Sequence, residues 1–416
     1  MVPMLTAKAM GGIQSTFLVP RIYSGEAGLT NATKYLDALL ESDEKRALII
    51  TDSFTERFAK RVGEFLDIVG IEYKVWSGAL PEVPYHTIEE GAKVCEEYQP
   101  RVIIAIGGGS VMDTAKVVLI KYDKSNENLF MVIPLAPSIG LRKKFRFFVA
   151  IPTTSGTGSE VTTVSVMTDE SREPDKKIPV VIGDILPDIA ILDTYFVKDM
   201  PPFLTMGTGL DAFAHSMGAY VSNVGSPLTD AINIGAIKEI VKYLPRAVKY
   251  GAKDMEARSH MQLAATMAGI GFGNSTIGQG VDHGLGHAFG KVYNVHHGVS
   301  VSLFLMYGLA FQAKILNRWK DLAPIFNVEL TADNREKSLN DFLQAVQDFI
   351  HSVGGFTCVK ELKNPVISEK EYFDKIDLAT EYGDNQPASL GSSRPLIKKH
   401  IKKIFEYAWD GKIIDF

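Results

Sequence analysis

Apolar and polar positions change their rhythm about halfway along the chain. In the first half, short runs rich in β-branched residues alternate with helix-like stretches. Residues 47–51 (ALIIT), 73–76 (YKVW), 102–106 (VIIAI), 147–151 (FFVAI) and 189–192 (IAIL) read as strands, with amphipathic stretches at 56–69 and 88–98 between the first three. Near-continuous apolar strands separated by helices predict a parallel sheet covered on both faces. Residues 162–167 and 178–182 flank a polar stretch, 168–177, and predict a hairpin. Beyond Leu204 strand-like runs become scarce, and helices are predicted over 210–221, 228–241, 256–268, 299–313, 339–352 and 395–409. Pro201 and Pro202 are expected to interrupt regular structure where the rhythm changes. The expected domains are therefore 1–202, an α/β domain, and 203–416, all-helical. Residues 121–146, partly polar and basic at Arg142, Lys143 and Lys144, read as a surface insertion.

Composition narrows the class. A chain of 416 residues exceeds one ordinary core, and 46% hydrophobic with 22% charged residues is the balance of a soluble globular protein. A net charge of −5 gives no basic stripe for nucleic acid. No apolar run reaches membrane-spanning length, 299–309 being too short, so no membrane partner is expected. Cys95 and Cys358 are the only cysteines, which excludes a disulfide framework and a cysteine zinc site. The opening residues, MVPMLT, lack the charged and apolar regions of a signal peptide, and a cytoplasmic location is expected.

Three segments carry candidate cofactor chemistry. Gly107, Gly108, Gly109 and Ser110 lead from the strand at 102–106 into a predicted helix at 111–120. Glycines there allow positive φ and close approach of a ligand, and the helix N-terminus offers free N–H groups to a pyrophosphate. Asp113 and Lys116 stand in the first turns of that helix. A second turn, 152–160 (PTTSGTGSE), crowds hydroxyls and backbone donors at the end of the strand at 147–151, where open α/β sheets bind ligands. Asp52 ends the first strand. It either accepts hydrogen bonds from an adenosine ribose, favouring NAD over NADP, or caps a turn.

The candidate metal chemistry lies further on. Asp211 and His215 are i,i+4 on a predicted helix and project from one face. His283 and His287 repeat that spacing, and four of the nine histidines fall within 283–297. One carboxylate and several imidazoles, without thiolates, suit Fe(II) or Zn(II).

These motifs resemble those of the iron-activated (group III) alcohol dehydrogenases. Residues 107–116 (GGGSVMDTAK) are similar to the family's pyrophosphate-binding motif, and 152–162 (PTTSGTGSEVT) to its second cofactor loop. Residues 209–215 (GLDAFAH) and 283–290 (HGLGHAFG) resemble its two metal motifs. The resemblance extends over nearly the whole chain. It implies an N-terminal Rossmann-like domain with a parallel sheet, an all-α C-terminal metal-binding domain, and an active site in the cleft between them. By the same resemblance Asp211, His215, His283 and His297 are the metal ligands and His287 is an active-site histidine outside the ligand set. Asp52 matches the position tied to NAD preference. Gly107, Gly108, Gly109, Ser110, Asp113, Thr153, Thr154, Thr157, Thr162, Lys177 and Leu204 match positions lining the cofactor site, Lys177 by register to Pro187 rather than by a motif.

There are departures. His296 replaces the usual proline before the third histidine ligand, which leaves open an exchange of roles between His296 and His297. Residues 391–395 (GSSRP) replace a commoner Asn-Pro-Arg, and 121–146 is longer than in simple members, as in the alcohol dehydrogenase half of bifunctional aldehyde–alcohol dehydrogenases. The activity implied is reversible hydride transfer between a primary alcohol or its aldehyde and NAD(H). Fe(II) is the expected ion with Zn(II) as the alternative, and a homodimer is the expected assembly. Glycerol or other polyol dehydrogenases, maleylacetate reductases and hydroxyacid–oxoacid transhydrogenases share these motifs. A dehydroquinate-synthase-like lyase would need a basic pocket, which the apolar Phe272, Leu285 and Phe289 do not suggest.

Overall fold

The structure is a computed structural model that describes residues 17–129, 138–171, 175–222, 225–275, 280–331, 333–386 and 392–416. The opening MVPMLT, the centre of the 121–146 insertion and Gly391 lie outside the described residues. Contacts divide the chain between Asp199 and Met200 into two compact units.

The unit Leu18–Asp199 is built on six strands: β1 (Arg21–Ser24), β2 (Arg46–Ile50), β3 (Glu72–Trp76), β4 (Val102–Gly107), β5 (Phe147–Pro152) and β8 (Ile189–Leu192). Their order is β1-β8-β5-β4-β2-β3 and every pairing is parallel. The two-residue period of a strand explains the continuous apolar runs, because both faces are covered. Ile49, Ile104, Ile106, Val149 and Ile151 pack with α1 (Gly28–Leu39) and α2 (Ala59–Ile68). Leu48, Ile50, Ile103, Ala105, Phe148 and Ala150 pack with α3 (Tyr85–Tyr98) and α4 (Gly109–Asp123). From β2 the chain winds toward one sheet edge and from β4 toward the other. The C-terminal ends of β2 and β4 therefore flank the topological switch point, where open α/β sheets bind ligands. The predicted hairpin is present as antiparallel β6 (Val164–Asp169) and β7 (Lys176–Val181).

The unit Met200–Phe416 is helical: α5 (Pro202–Val221), α6 (Pro227–Tyr250), α7 (Met255–Gly273), α8 (Gly280–Tyr293), α9 (His297–Ala313), the short α10 (Trp319–Leu322), α11 (Arg335–Ser352), α12 (Glu369–Asp384) and α13 (Lys398–Ala408). From Thr205 to its end α5 is buried on all sides, and α9 nearly so, which makes them core helices rather than amphipathic surface ones. The two prolines at 201–202 do not interrupt structure. Pro202 opens α5 with Pro201 as its N-cap, positions where a missing N–H costs nothing. No described helix is long and apolar enough to cross a membrane.

Candidate functional site

At the switch point the loops after β2, β4 and β5 are tied together by the backbone. Thr51 donates its hydroxyl to the Ile106 carbonyl at 2.9 Å, the Thr55 hydroxyl lies 3.2 Å from the same oxygen, and Thr153 N donates to the Gly107 carbonyl at 3.0 Å. Asp52 caps its own turn: Oδ1 accepts from Phe54 N, Thr55 N and the Thr55 hydroxyl at 2.7–2.9 Å. No side chain caps α4 at Gly108, so its first N–H groups remain open to an anion.

The glycines of this turn are needed for a reason other than the expected one. Gly107, Gly108 and Gly109 do not take positive φ. A Cβ on Gly109 would lie 2.8 Å from Cγ2 of Thr157, so the requirement is room for the second loop. Beneath the two loops lies a buried polar network. Lys116 Nζ donates to the Ser159 carbonyl and hydroxyl and to the Val164 carbonyl at 2.7 Å each, and to the Thr162 hydroxyl at 3.1 Å. The Ser159 hydroxyl donates in turn to Asp113 Oδ1 at 2.7 Å, and Val166 N to Oδ2 at 2.9 Å. Burial pulls the Lys116 ammonium down to about 8, opposed by Asp113 and Glu160. Asp113 and Thr162 thus turn their polar atoms toward this network. Ser110, Thr154 and Thr157 are half-buried and Thr153 is buried. Lys177, on β7, pairs with Glu82 at 2.5 Å. Leu204 lies in the other unit, in the first turn of α5, where its carbonyl accepts from the Thr208 hydroxyl.

In the helical unit, α5, α8 and α9 converge on one buried group. Gly298 lets α9 approach α5, since a Cβ there would meet the Gly207 carbonyl oxygen at 2.0 Å and Asp211 Cβ at 3.2 Å. Asp211, His215 and His283 are buried, and one ligand atom from each lies within 4.8 Å of the others. Asp211 Oδ1 is 3.5 Å from His283 Nε2, 3.3 Å from His297 Nε2 and 4.0 Å from His215 Nδ1. Ligand atoms about 2.1 Å from one ion lie about 3 to 3.5 Å apart, so the 3.3 and 3.5 Å separations suit a shared divalent cation, with His215 Nδ1 at 4.0 Å just outside that range. Asp211 Oδ1 and His283 Nε2 are buried with no hydrogen-bond partner, which a bound cation would satisfy. Burial alone would raise the Asp211 carboxyl, yet His215 and His297 hold it well below the usual range. Burial also depresses His283, but Asp211 and Asp282 reverse this and raise it to about 9.

The His215 ring is stacked between Phe272, at 4.2 Å, and His283, at 4.3 Å. His287 is half-buried, its ring 6.0 Å from His283 and 5.1 Å from His297, with Nδ1 3.3 Å from Gln386 Oε1. His296, by contrast, is exposed and packs edge-on against Phe203 at 5.9 Å. Sequence reasoning missed Asp282, beside His283, and Gln386. Asp282 adjoins a singled-out histidine, whereas Gln386 has no local signal.

Residues 20–194 match the family Iron-containing alcohol dehydrogenase, and residues 205–409 match Fe-containing alcohol dehydrogenase family, C-terminal. The chain belongs to the iron-containing alcohol dehydrogenase family. At that level it is a metal-dependent, NAD(H)-linked oxidoreductase acting on an alcohol or aldehyde. Among its relatives, the NADPH-dependent butanol dehydrogenase of Clostridium saccharobutylicum is 32% identical, over 96% of this chain and 99% of that one. The NAD-dependent methanol dehydrogenase of Bacillus methanolicus is 36% identical, over 64% of this chain and 68% of that protein. Among solved family structures, the alcohol dehydrogenase from Oenococcus oeni superposes with a TM-score of 0.84 at 28% identity, covering 95% of this chain and 100% of that one.

Proposed function

We propose that this protein interconverts primary alcohols and aldehydes by hydride transfer to and from NAD(H), with iron(II) held by Asp211, His215, His283 and His297. The observation that carries this reading is the convergence of three imidazole nitrogens, from α5, α8 and α9, on Asp211 Oδ1, with Asp211 and His283 sealed from water. A donor set of one carboxylate and imidazoles supports iron(II), and zinc(II) is the other ion such donors accept. When bound, the cation supplies Lewis acidity toward the substrate oxygen, and the nicotinamide supplies the redox chemistry.

The chain's own residues do the rest. His287 shares the site without needing to ligate. In the tautomer that donates Nδ1–H to Gln386 Oε1, His287 takes the hydroxyl proton on Nε2 during oxidation and returns it during reduction. The open N-terminus of α4 and the backbone of the 152–160 loop hold the pyrophosphate. Asp52 supports NAD over NADP: Oδ1 is occupied by its turn, and the remaining carboxylate oxygen suits a ribose hydroxyl and repels a 2′-phosphate. Thr153, Thr154, Thr157, Ser110 and Lys177 belong to the proposed dinucleotide site, while Asp113 and Thr162 hold its two loops together.

Following NADH absorbance with ethanol, butanol, propanediol and glycerol tests the proposal, on protein stripped by chelator and then given iron(II) or zinc(II). Metal-dependent NADH formation with primary alcohols is the expected result. No metal-dependent change with any alcohol or aldehyde would sink it.

A further inference from the structure

Asp282 stands immediately before His283 on α8 and belongs to none of the features assigned above. The residue is 1% exposed, an unusual place for a carboxylate unless something offsets the loss of water. Oδ2 lies 2.8 Å from Nδ1 of His283, whose ring is wholly buried. On the opposite side of that ring, Nε2 faces Asp211 Oδ1 at 3.5 Å. The imidazole thus lies between two carboxylates, hydrogen-bonded to one through Nδ1 and facing the other with Nε2.

An ionised carboxylate only accepts, so the contact with Asp282 places a hydrogen on Nδ1. With the ring neutral, as a ligand must be, the Nε2 lone pair is directed at the Asp211 side. Space for Asp282 is set by two glycines. A Cβ on Gly280, which has φ of +82°, would meet Asp282 Oδ1 at 2.6 Å. A Cβ on Gly308 of α9 would lie 3.2 Å from the Asp282 nitrogen and 3.5 Å from Oδ1. A side chain at either glycine would therefore crowd Asp282.

We propose that Asp282 is a positioning residue for the metal centre, fixing the tautomer and ring plane of His283 so that Nε2 is presented to a divalent cation. This rests on the reading of Asp211, His215, His283 and His297 as ligands. A carboxylate behind a ligating histidine orients the ring and strengthens it as a donor, and its loss weakens metal binding without removing a ligand.

Cobalt(II) titration of the stripped full-length protein, in competition with a chelator and read by visible absorption, tests this on the wild type, Asp282→Asn and Asp282→Ala. Removing the carboxylate is expected to weaken cobalt(II) about ten- to a hundredfold in Asp282→Ala, with a smaller loss in Asp282→Asn and an altered visible spectrum in both. Circular dichroism of the stripped variants separates this from a folding defect. Should Asp282→Ala not fold, Asp282→Asn decides, because it keeps the size and an acceptor oxygen while losing the charge. Wild-type affinity and spectrum in whichever variant folds would overturn the proposal. If the wild type itself binds no cobalt(II), iron(II) or zinc(II), the ligand reading falls, and this inference with it.

Discussion

Adjacent histidines at the start of α9 meet different surroundings. His297 Nε2 is 3.3 Å from Asp211 Oδ1, whereas His296 caps the helix from outside, exposed and against Phe203. His297→Ala is therefore expected to lower metal affinity at least about tenfold, by analogy with lesser changes at such sites, and His296→Ala to leave it unchanged. Equilibrium dialysis with metal analysis checks this, and equal losses would contradict the assignment. Asp52 offers a second contrast at this scale. Asp52→Asn keeps the oxygen that caps the turn and removes the charge, so stability should hold while NADP gains on NAD by about tenfold or more. Ratios of kcat/KM for the two dinucleotides, with a melting curve alongside, are the check. An unchanged ratio would remove Asp52 from cofactor selection.

At the scale of elements, the two ends of the sheet divide the work. At the switch-point end, Lys116 ties α4 to the loop that precedes β6. Lys116→Met leaves the buried Ser159 and Val164 carbonyls without their donor and should cost about 1–3 kcal/mol, as an unsatisfied buried polar group does. Dinucleotide affinity should fall with it. Urea unfolding and NADH fluorescence titration measure both, and intact NADH binding would show that the network does not shape the loops. At the other end Glu44 clasps residues just ahead of β4 and β5: Arg101 donates to Oε1 at 2.8 Å and Arg146 to Oε2. The Arg101 hydrogen bond, helped by Arg146, lowers the Glu44 carboxyl from 4.5 to about 2. A carboxyl depressed in the folded state stabilises above its unfolded value and loses that contribution as pH falls through the folded one. Wild type should therefore melt above Glu44→Gln at pH 7, with the gap closing between about 4.5 and about 2. NADH affinity should be the same in both, and a gap that does not shrink in acid would contradict the clasp.

This scale also shows what was legible in the chain. Strands β2, β3, β4, β5 and β8 were visible because they carry compact apolar or β-branched runs. The four-residue β1, exposed at both ends, was not, and neither was α1 behind it. In α8, four glycines in fourteen residues argue against a helix at about 1 kcal/mol each, and burial against α5 and α9 overrides them. The i,i+4 pairs 211/215 and 283/287 marked two faces, but only the close approach of α9 to α5 at Gly298 sets His297 against Asp211. Gln386 acts through a tertiary contact, which no local spacing encodes, whereas Asp282 reaches its own neighbour His283.

At the scale of the molecule, dinucleotide motifs and metal donors sit in separate compact units, each with its own core. On the proposed reading the sheet unit carries the pyrophosphate-binding loops and the helical unit the metal donors, so the reaction needs both. The central claim is that hydrogen passes directly from the alcohol carbon to the nicotinamide when the metal site is filled. Incubating the iron-loaded protein with NAD and a primary alcohol bearing deuterium on its carbinol carbon tests that most directly, with mass analysis of the NADH formed. The account predicts one deuterium in each NADH from the loaded protein and no labelled NADH from the stripped protein or from Asp211→Ala. Unlabelled NADH, or labelled NADH formed equally well without metal, would contradict it.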